Sequence, residues 1–448
     1  MWLNQPGKHV QAAKLAYLDS LRGIASIIVI LAHYVAVFYP YAIFGDSYRR
    51  SSSWEDWLRV PPLSLVMSGH YAVCLFFILS GYVLSIKFFS GAARLGELTQ
   101  AVLKRPVRLG GVVLITVLLG YALMQGNLLP WSRPGEGLEK YPWLATFWQT
   151  TPTWQSFLVD AALHPFSSGT TYNPPLWTIE KELVGSYIVF ATVGVALRLN
   201  QRWRLAVLAV LVLVTFKTLY VGFIIGMLFA AARSLQQVAL PERVGGRIQR
   251  ILRPLTTCLL LGSGLWLGSQ LHYVAASPAD MPADMLAGWA ATITKTAHDF
   301  GTGGAAMLGA ALTFAACWSA PPLQRALDAR PLRFLGRISF AVYALHFLLL
   351  GSLSVALDQR LMNTLGRDLS ALVTTLVSFA CLIPLAALVT RWIDRPSIVA
   401  SSIVADQLRR MGAKIAAGCS RLRLQTMGEC RMTAGCENEG SATDCRAA

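Results

Sequence analysis

The sequence predicts an all-α, polytopic membrane protein with about ten transmembrane helices and both termini in the cytoplasm. Composition is the first observation behind this prediction. Of the 448 residues, 54% are hydrophobic and only 14% are charged, whereas soluble proteins carry about 25% charged residues. The second observation is that the apolar residues form runs of about 20, the length that crosses a bilayer as a helix. The third is that Lys and Arg concentrate in alternate loops, which indicates the cytoplasmic side.

The apolar runs place the predicted helices in order along the chain. They occupy residues 19–39, 64–88, 107–125, 175–197, 204–216, 218–232, 254–275, 301–319, 337–357 and 369–392. The stretch 204–232 fits either one long helix or two short helices around Lys217. Two helices keep every Lys- and Arg-rich loop on the cytoplasmic side, whereas one helix would move all later loops across the membrane. We therefore expect ten helices. The first should be retained, because it contains Asp19 and Arg22 and lacks a cleavage motif.

Charge balance and the C-terminal region exclude several other classes of protein. The chain has 39 Lys and Arg against 23 Asp and Glu. Because the excess lies between apolar runs, we attribute it to membrane topology and not to nucleic-acid binding. Residues 1–396 form the predicted membrane domain, and residues 397–448 a cytoplasmic tail with an amphipathic helix followed by a disordered segment. The tail cysteines lack a CxxC spacing or a nearby His, so we expect no metal.

The first predicted helix carries two ionisable residues that belong to one face. Arg22 and His33 are eleven residues apart, which is almost three helical turns and about 16 Å along the axis. Ionisable groups within a membrane are costly and are candidates for function. A cation at the inner edge with an acid–base group deeper on the same face would suit a donor that enters from the cytoplasm. The alternative is a snorkelling Arg and a His that bonds a backbone carbonyl.

Other helices supply further ionisable candidates. His70 lies near the outer end of the second helix, and His346 lies mid-segment in the ninth, where packing and catalysis are equally open. Glu180 and Glu182 open the fourth helix. The helix dipole explains a carboxylate in the first turn and therefore accounts for Glu180. Glu182 lies deeper and is the stronger candidate.

Arginines and aromatic residues complete the set of candidates. Arg105 and Arg108 lie at the inner mouth of the third helix, where they serve either as ordinary positive-inside charge or as a phosphate site for a donor such as a coenzyme A ester. The longest outer loop, about residues 126–173, contains several aromatic side chains: Trp131, Tyr141, Trp143, Phe147, Trp148, Trp154 and Tyr172. They form either an aromatic belt at the membrane interface or a platform on which sugar rings stack.

Five segments together resemble the membrane acyltransferase family called acyltransferase 3. They are Asp19–His33, with the Arg and His of the opening motif at Arg22 and His33; Gly69–Tyr82; Arg105–Arg108; Trp177–Glu182; and Leu335–His346. Each segment is a weak match alone, but their order and spacing are specific. The resemblance covers about residues 17 to 395.

The resemblance implies a donor, a direction and a set of site residues. An acyl group, usually acetyl, would move from cytoplasmic acyl-CoA to a hydroxyl at the outer face. The acceptor would be a glycan, a lipid-linked glycan or a small molecule. No permanently bound cofactor is implied, and the location would be the plasma (inner) membrane of a bacterium or another membrane elsewhere. The implied residues are His33, Glu182 and Arg22 for catalysis; Arg22, Arg105 and Arg108 for the donor; and His70, Ser80, Trp177, Tyr343 and His346 in accepting or supporting roles.

Chemistry provides a hypothesis for the mechanism. Transfer from a thioester to a hydroxyl needs a base and stabilisation of the oxyanion. We expect His33 either to be that base or to carry the acyl group, and Glu182 to orient it.

The main alternative function is a transporter or flippase, although the inverted repeats common in transporters are not evident in this sequence. The other is a sensor or scaffold, against which intact Arg22, His33 and Glu182 argue. The oligomeric state stays open.

Overall fold

A computed structural model describes residues 16–129, 140–167, 169–239, 247–271 and 303–411, and every regular element in them is helical. Several predicted features lie outside these residues: Trp131, residues 272–275 and 301–302 of two predicted helices, and the tail beyond Met411. The described helices are α1 Ala16–Phe38, α2 Pro40–Phe44, α3 Glu55–Arg59, α4 Gly69–Phe89, α5 Leu98–Gln125, α6 Trp154–Ala162, α7 Trp177–Ala196, α8 Gln201–Thr215, α9 Val221–Ala239, α10 Arg247–Gly268, α11 Gly304–Ser319, α12 Pro321–Leu327, α13 Arg330–Leu349, α14 Val355–Leu365 and α15 Arg367–Val389.

The helical membrane class that the sequence predicts is confirmed. Each predicted range contains a helix, and the ambiguous stretch 204–232 is divided between α8 and α9. By length and composition, five helices in the described residues could cross a membrane, or six if α11 and α12 form one span bent by 100°. The number ten and the orientation of the termini stay predictions.

Two helices extend well beyond their predicted ends. Helix α5 begins at Leu98, not at 107, so Arg105 and Arg108 lie within it. Helix α15 continues through a π-helical turn at Thr390–Asp394 as far as Met411. Hydropathy detects only the apolar part of a helix, whereas the backbone stays helical into its polar ends. Helix α4, in contrast, begins later than predicted. Its predicted first turn, within Leu63–Met67, is a 3₁₀ helix.

Two glycines let α1 and α13 touch through their backbones. A Cβ atom at Gly336 would lie 2.1 Å from the carbonyl oxygen of Asp19, and a Cβ at Gly23 would lie 2.7 Å from the amide nitrogen of Gly336. Small residues at such a crossing allow close packing where lipid removes the hydrophobic drive between helices. Further along, His33 of α1 meets His346 of α13. Both histidines are ten residues beyond their glycines, so the two helices run parallel.

Other close contacts fix the directions of neighbouring helices. Gly69, at the start of α4, packs against Ala32 near the end of α1, so α4 runs opposite to α1. Helix α9 lies along α4, with Gly222 beside Phe77 and Gly226 against the backbone between Ile78 and Tyr82. Helices α4 and α9 are therefore parallel to each other.

The outer loop is fixed over the ends of α1 and α13. The Tyr141 hydroxyl donates to the buried carboxylate of Asp358 at 2.6 Å, and Trp148 Nε1 donates to the Tyr172 carbonyl oxygen at 3.1 Å. The buried carboxylate of Asp160 accepts from the Thr171 amide at 3.0 Å. Hydrogen bonds of this kind satisfy buried polar groups, so the described part of the loop belongs to the core around the C-terminal half of α1.

The helix crossing gives the first testable prediction. We expect Gly336→Ala to lower the thermal unfolding midpoint of the purified protein, because the new Cβ must push α1 and α13 apart, at a cost of about 1–3 kcal/mol. Gly110→Ala is the matched control, since a Cβ there meets nothing within 4 Å. It should leave the midpoint unchanged or raise it, because Ala favours helix over Gly. Equal midpoints for the two variants would contradict this account of the crossing.

Candidate active site

Two histidines from parallel helices form the centre of the site. The Nδ1 atom of His33 and the Nε2 atom of His346 are 2.9 Å apart, and the ring centroids are 5.0 Å apart. His346 is completely buried, while His33 is half-buried. The structure therefore joins a residue predicted as catalytic to one predicted as supporting.

The shared register of α1 and α13 produces this pairing. Both helices carry the pattern G-x-x-S followed by six residues and His: Gly23, Ser26 and His33 in α1, and Gly336, Ser339 and His346 in α13. Each serine hydroxyl donates to the carbonyl of its glycine, at 2.7 Å and 2.8 Å respectively. This short common pattern is the signal that would have identified His346 as the partner of His33.

Aromatic rings enclose His33 on its outer side. The Trp143 ring stacks on His33 with 5.8 Å between centroids and 18° between planes, and Phe347 meets it edge-on at 5.4 Å. Phe147 in turn packs against Phe347 at 5.1 Å. Among the loop tryptophans predicted as a belt or a platform, Trp143 reaches the histidine, whereas Trp154 is 58% exposed.

A cavity of about 310 Å³ lies between several helices, including the first turns of α1 and α13. Its wall is rich in charged side chains, of which four are cationic and three anionic. They are Arg22, Arg105, Arg108, Arg337, Asp19, Glu182 and Asp394. All three arginines predicted to bind the donor therefore line one cavity. Ser80, another predicted site residue, is buried in the same wall.

An ion pair within this wall engages Glu182. Its Oε1 atom accepts from Nη2 of Arg105 at 2.6 Å, and Nε of Arg105 donates to the Ser186 hydroxyl at 2.8 Å. The His33 ring is hydrogen-bonded to His346. That Glu182 orients His33 stays a prediction, whereas its bond to Arg105 is what the structure shows. Position on a helix reveals depth, but it does not reveal which neighbouring helix a carboxylate faces.

Tyr343 connects the cavity with the histidine pair. It lines the cavity, and its ring centroid is 5.7 Å from that of His346. Its hydroxyl donates to the Pro175 carbonyl oxygen and bonds the Thr178 hydroxyl at 2.8 Å. Because a carbonyl can only accept, the proton between the two hydroxyls comes from Thr178. The α7 end thus fixes the orientation of the tyrosine ring.

The remaining predicted residues lie around this centre. Trp177 is the first residue of α7 and is 39% exposed. His70 is half-buried in the first turn of α4, at the end of that helix that reaches Ala32 beside His33. Within the described residues, no group of three or more His, Cys, Asp or Glu side chains could hold a metal ion.

The arrangement combines two chemical capabilities. Arginines bind phosphate and carboxylate groups through planar, bidentate hydrogen bonds, so the cavity can hold an anionic ligand. Histidine accepts or donates a proton near neutral pH and can act as a nucleophile, so the enclosed pair can move a proton or carry a group. The cavity and the histidine pair both lie along α1 and α13. This arrangement suits the transfer of a group from an anionic donor in the cavity to a base at the histidines.

Comparison with known proteins agrees with this chemistry. Residues 15–391 match the acyltransferase 3 family, whose description reads "Acyltransferase domain". Acyltransferase clz18 of Cochliobolus lunatus is 26% identical, over 85% of this chain and 93% of its own length. Acyltransferase R4 of a Phoma species is 25% identical over 75% and 82%, and O-acetyltransferase PaAT-1 of Phomopsis amygdali is 25% identical over 88% and 85%. No solved structure matches the chain.

The buried ion pair gives a prediction on stability. Glu182→Gln keeps the shape of the side chain but leaves the Arg105 charge uncompensated beside other arginines. We expect it to destabilise the protein by on the order of 3 kcal/mol, read as a lower unfolding midpoint. Glu180→Gln is the matched control on the same helix, because Glu180 bonds the more exposed Lys181 at 3.0 Å, and such pairs contribute about 0–1 kcal/mol. A larger loss from Glu180→Gln would refute this assignment.

Proposed function

The chain belongs to the acyltransferase 3 family and is an O-acyltransferase, and from this premise we propose that it acetylates a glycan or similar acceptor. The donor is acetyl-CoA on the cytoplasmic side, used as a co-substrate. The acceptor hydroxyl belongs to a glycan, a lipid-linked glycan or a small molecule at the outer face. The observation that carries the proposal is the arginine-lined cavity, whose wall includes Tyr343 beside the enclosed histidine pair.

Donor binding is supported by the charge and the size of the cavity. Coenzyme A carries several phosphate groups, and Arg22, Arg105 and Arg108 present guanidinium groups to one space. A volume of about 310 Å³ is at the lower limit of small-molecule sites, which span about 300–1,000 Å³. The cavity therefore suits the acyl-pantetheine arm and a phosphate, with the nucleotide outside. Glu182 keeps Arg105 in place and reduces the net positive charge of the wall.

His33 performs the chemistry in this proposal. As a base, it takes the proton of the acceptor hydroxyl while the oxygen attacks the thioester carbonyl carbon. The carbon–sulfur bond then breaks, and the imidazolium returns the proton to the departing coenzyme A thiolate. The products are an acetyl ester and free coenzyme A. In the alternative sequence, His33 is acylated first and the acceptor then attacks the acyl-imidazole.

The aromatic enclosure supports an acceptor that approaches from outside. Trp143 and Phe147 belong to the outer loop and lie over the ring of His33 and its neighbour Phe347. Flat aromatic surfaces bind the apolar faces of rings, and a sugar ring presents such a face. The hydroxyl to be acetylated would reach His33 at the edge of the Trp143 ring.

Helix directions support the ten-span topology with both termini inside. In that topology the first and ninth spans run outward, while the second and sixth run inward. Helices α1 and α13 are parallel, α4 is opposite to α1, and α9 is parallel to α4, in agreement with this order. The enzyme would lie in the plasma (inner) membrane of a bacterium, or in another membrane elsewhere.

Transfer of labelled acetyl from acetyl-CoA in membranes tests the function. We expect wild type to label an acceptor fraction and His33→Ala to abolish the label. The matched control is His164→Ala, which alters a partly exposed outer-loop histidine bonded to Asp160 and should retain activity. Arg22→Ala should raise KM for acetyl-CoA about 10- to 100-fold, the equivalent of one charge-assisted hydrogen bond. No label with wild type, across several donors and acceptors, would favour the transporter.

Labelling of single cysteines in intact cells tests the topology. In a background without native cysteines, Trp57→Cys, at a side chain that is 72% exposed before the second span, should react with a membrane-impermeant maleimide. Arg202→Cys, at an exposed side chain in the first turn of α8, should react only after the cells are permeabilised. The reverse pattern would overturn the proposed orientation.

A further inference from the structure

A backbone carbonyl determines where the proton of His346 lies. The Nδ1 atom of His346 is hydrogen-bonded to the carbonyl oxygen of Tyr343, one turn earlier in α13. A carbonyl oxygen carries no proton and can only accept. The proton of the neutral His346 ring is therefore on Nδ1, and its Nε2 atom carries a lone pair.

The same reasoning extends to the second ring. The Nε2 atom of His346 lies 2.9 Å from Nδ1 of His33. Because Nε2 of His346 must accept, Nδ1 of His33 must donate, and the single proton of neutral His33 is located there. The lone pair of His33 is then on Nε2, on the side of the ring away from His346. The order of donation runs from His33 to His346 to the Tyr343 carbonyl.

We infer that His346 is a positioning residue that fixes His33 in the tautomer with a free Nε2 lone pair. This inference rests on the proposed function, and it holds whether His33 is the base or the acyl carrier, since both need that lone pair. His346 itself is completely buried and has both ring nitrogens engaged, so it does not contact the substrates. It takes the place that a carboxylate occupies in hydrolase triads.

A neutral partner has a chemical consequence that differs from that of a carboxylate. A carboxylate stabilises the imidazolium that forms when the base takes a proton. Neutral His346 gives less of this stabilisation, so protonated His33 is a stronger acid. The proton taken from the acceptor hydroxyl is then readily passed to the departing thiolate. Of the described ring contacts of His33, His346 is the titratable one; the others are Trp143 and Phe347.

Two amide substitutions at His346 separate positioning from packing. The amide of Gln reaches the place of Nε2 and can accept from His33, whereas the shorter amide of Asn reaches only the place of Nδ1, beside the Tyr343 carbonyl. We expect His346→Gln to keep kcat within about tenfold of wild type. His346→Asn should lower kcat by about 100-fold or more, the contribution of a correctly placed base, with KM for acetyl-CoA unchanged. Equal effects of the two variants, whether large or absent, would overturn the inference.

Nitrogen-15 NMR of histidine-labelled protein tests the same inference without substrate. Protonated and unprotonated ring nitrogens resonate far apart, and His33→Gln assigns the His33 signals among the seven histidines of the chain. We expect Nε2 of His33 to be unprotonated in wild type and in His346→Gln, and a mixture of tautomers in His346→Asn. A protonated Nε2 in the wild type would contradict the inference. The expected spectra in a protein without transferase activity would instead refute the proposed function alone.

Discussion

The site depends on the backbone contact between Gly23 and Gly336. A side chain at either position would occupy space already taken by the other helix, so the crossing fixes both the distance and the register of α1 and α13. Ten residues further along, about 15 Å at the rise of an α-helix, the same register brings His33 against His346. In a bilayer, close packing of small residues replaces the hydrophobic drive that joins helices in water. The geometry of the histidine pair is therefore set by two residues that have no side chain.

From this axis the site divides into two chemically different halves. The half around Arg22 is polar, with arginines whose repulsion is relieved by Glu182, Asp19 and Asp394 around one cavity. The half around His33 is aromatic and encloses the histidines under a loop held by Tyr141 and Asp160. Tyr343 belongs to both halves, since its ring lines the cavity while its carbonyl accepts from His346. In the proposed function, such a division separates a charged donor from a ring-bearing acceptor while it keeps the reacting groups close.

The sequence predicted the parts of the molecule that depend on one helix at a time. Apolar runs located the helices, and loop charge divided 204–232 into the two helices that the structure has. Contacts between helices were less accessible. Glu182 was assigned to the histidine because carboxylates orient catalytic imidazoles, and spacing along one helix could not reveal its bond to Arg105 on α5. The pairing of His33 with His346 was within reach, because the glycine, serine and histidine spacing of α1 recurs in α13. Helices α5 and α15 were predicted too short because polar turns leave no hydropathy signal.

The hydrogen bond from His346 to the Tyr343 carbonyl also affects whether protons can leak across the membrane through the protein. Chains of Asp, Glu and His side chains form the proton pathways of membrane pumps and transporters. A pathway needs groups that can both take up a proton and release one on the other side, and a peptide carbonyl does neither at ordinary pH. The hydrogen-bonded chain of two rings therefore ends at the backbone of α13 and cannot pass a proton further. In the proposed function, His33 can therefore exchange protons in every catalytic cycle without dissipating the electrochemical gradient across the membrane.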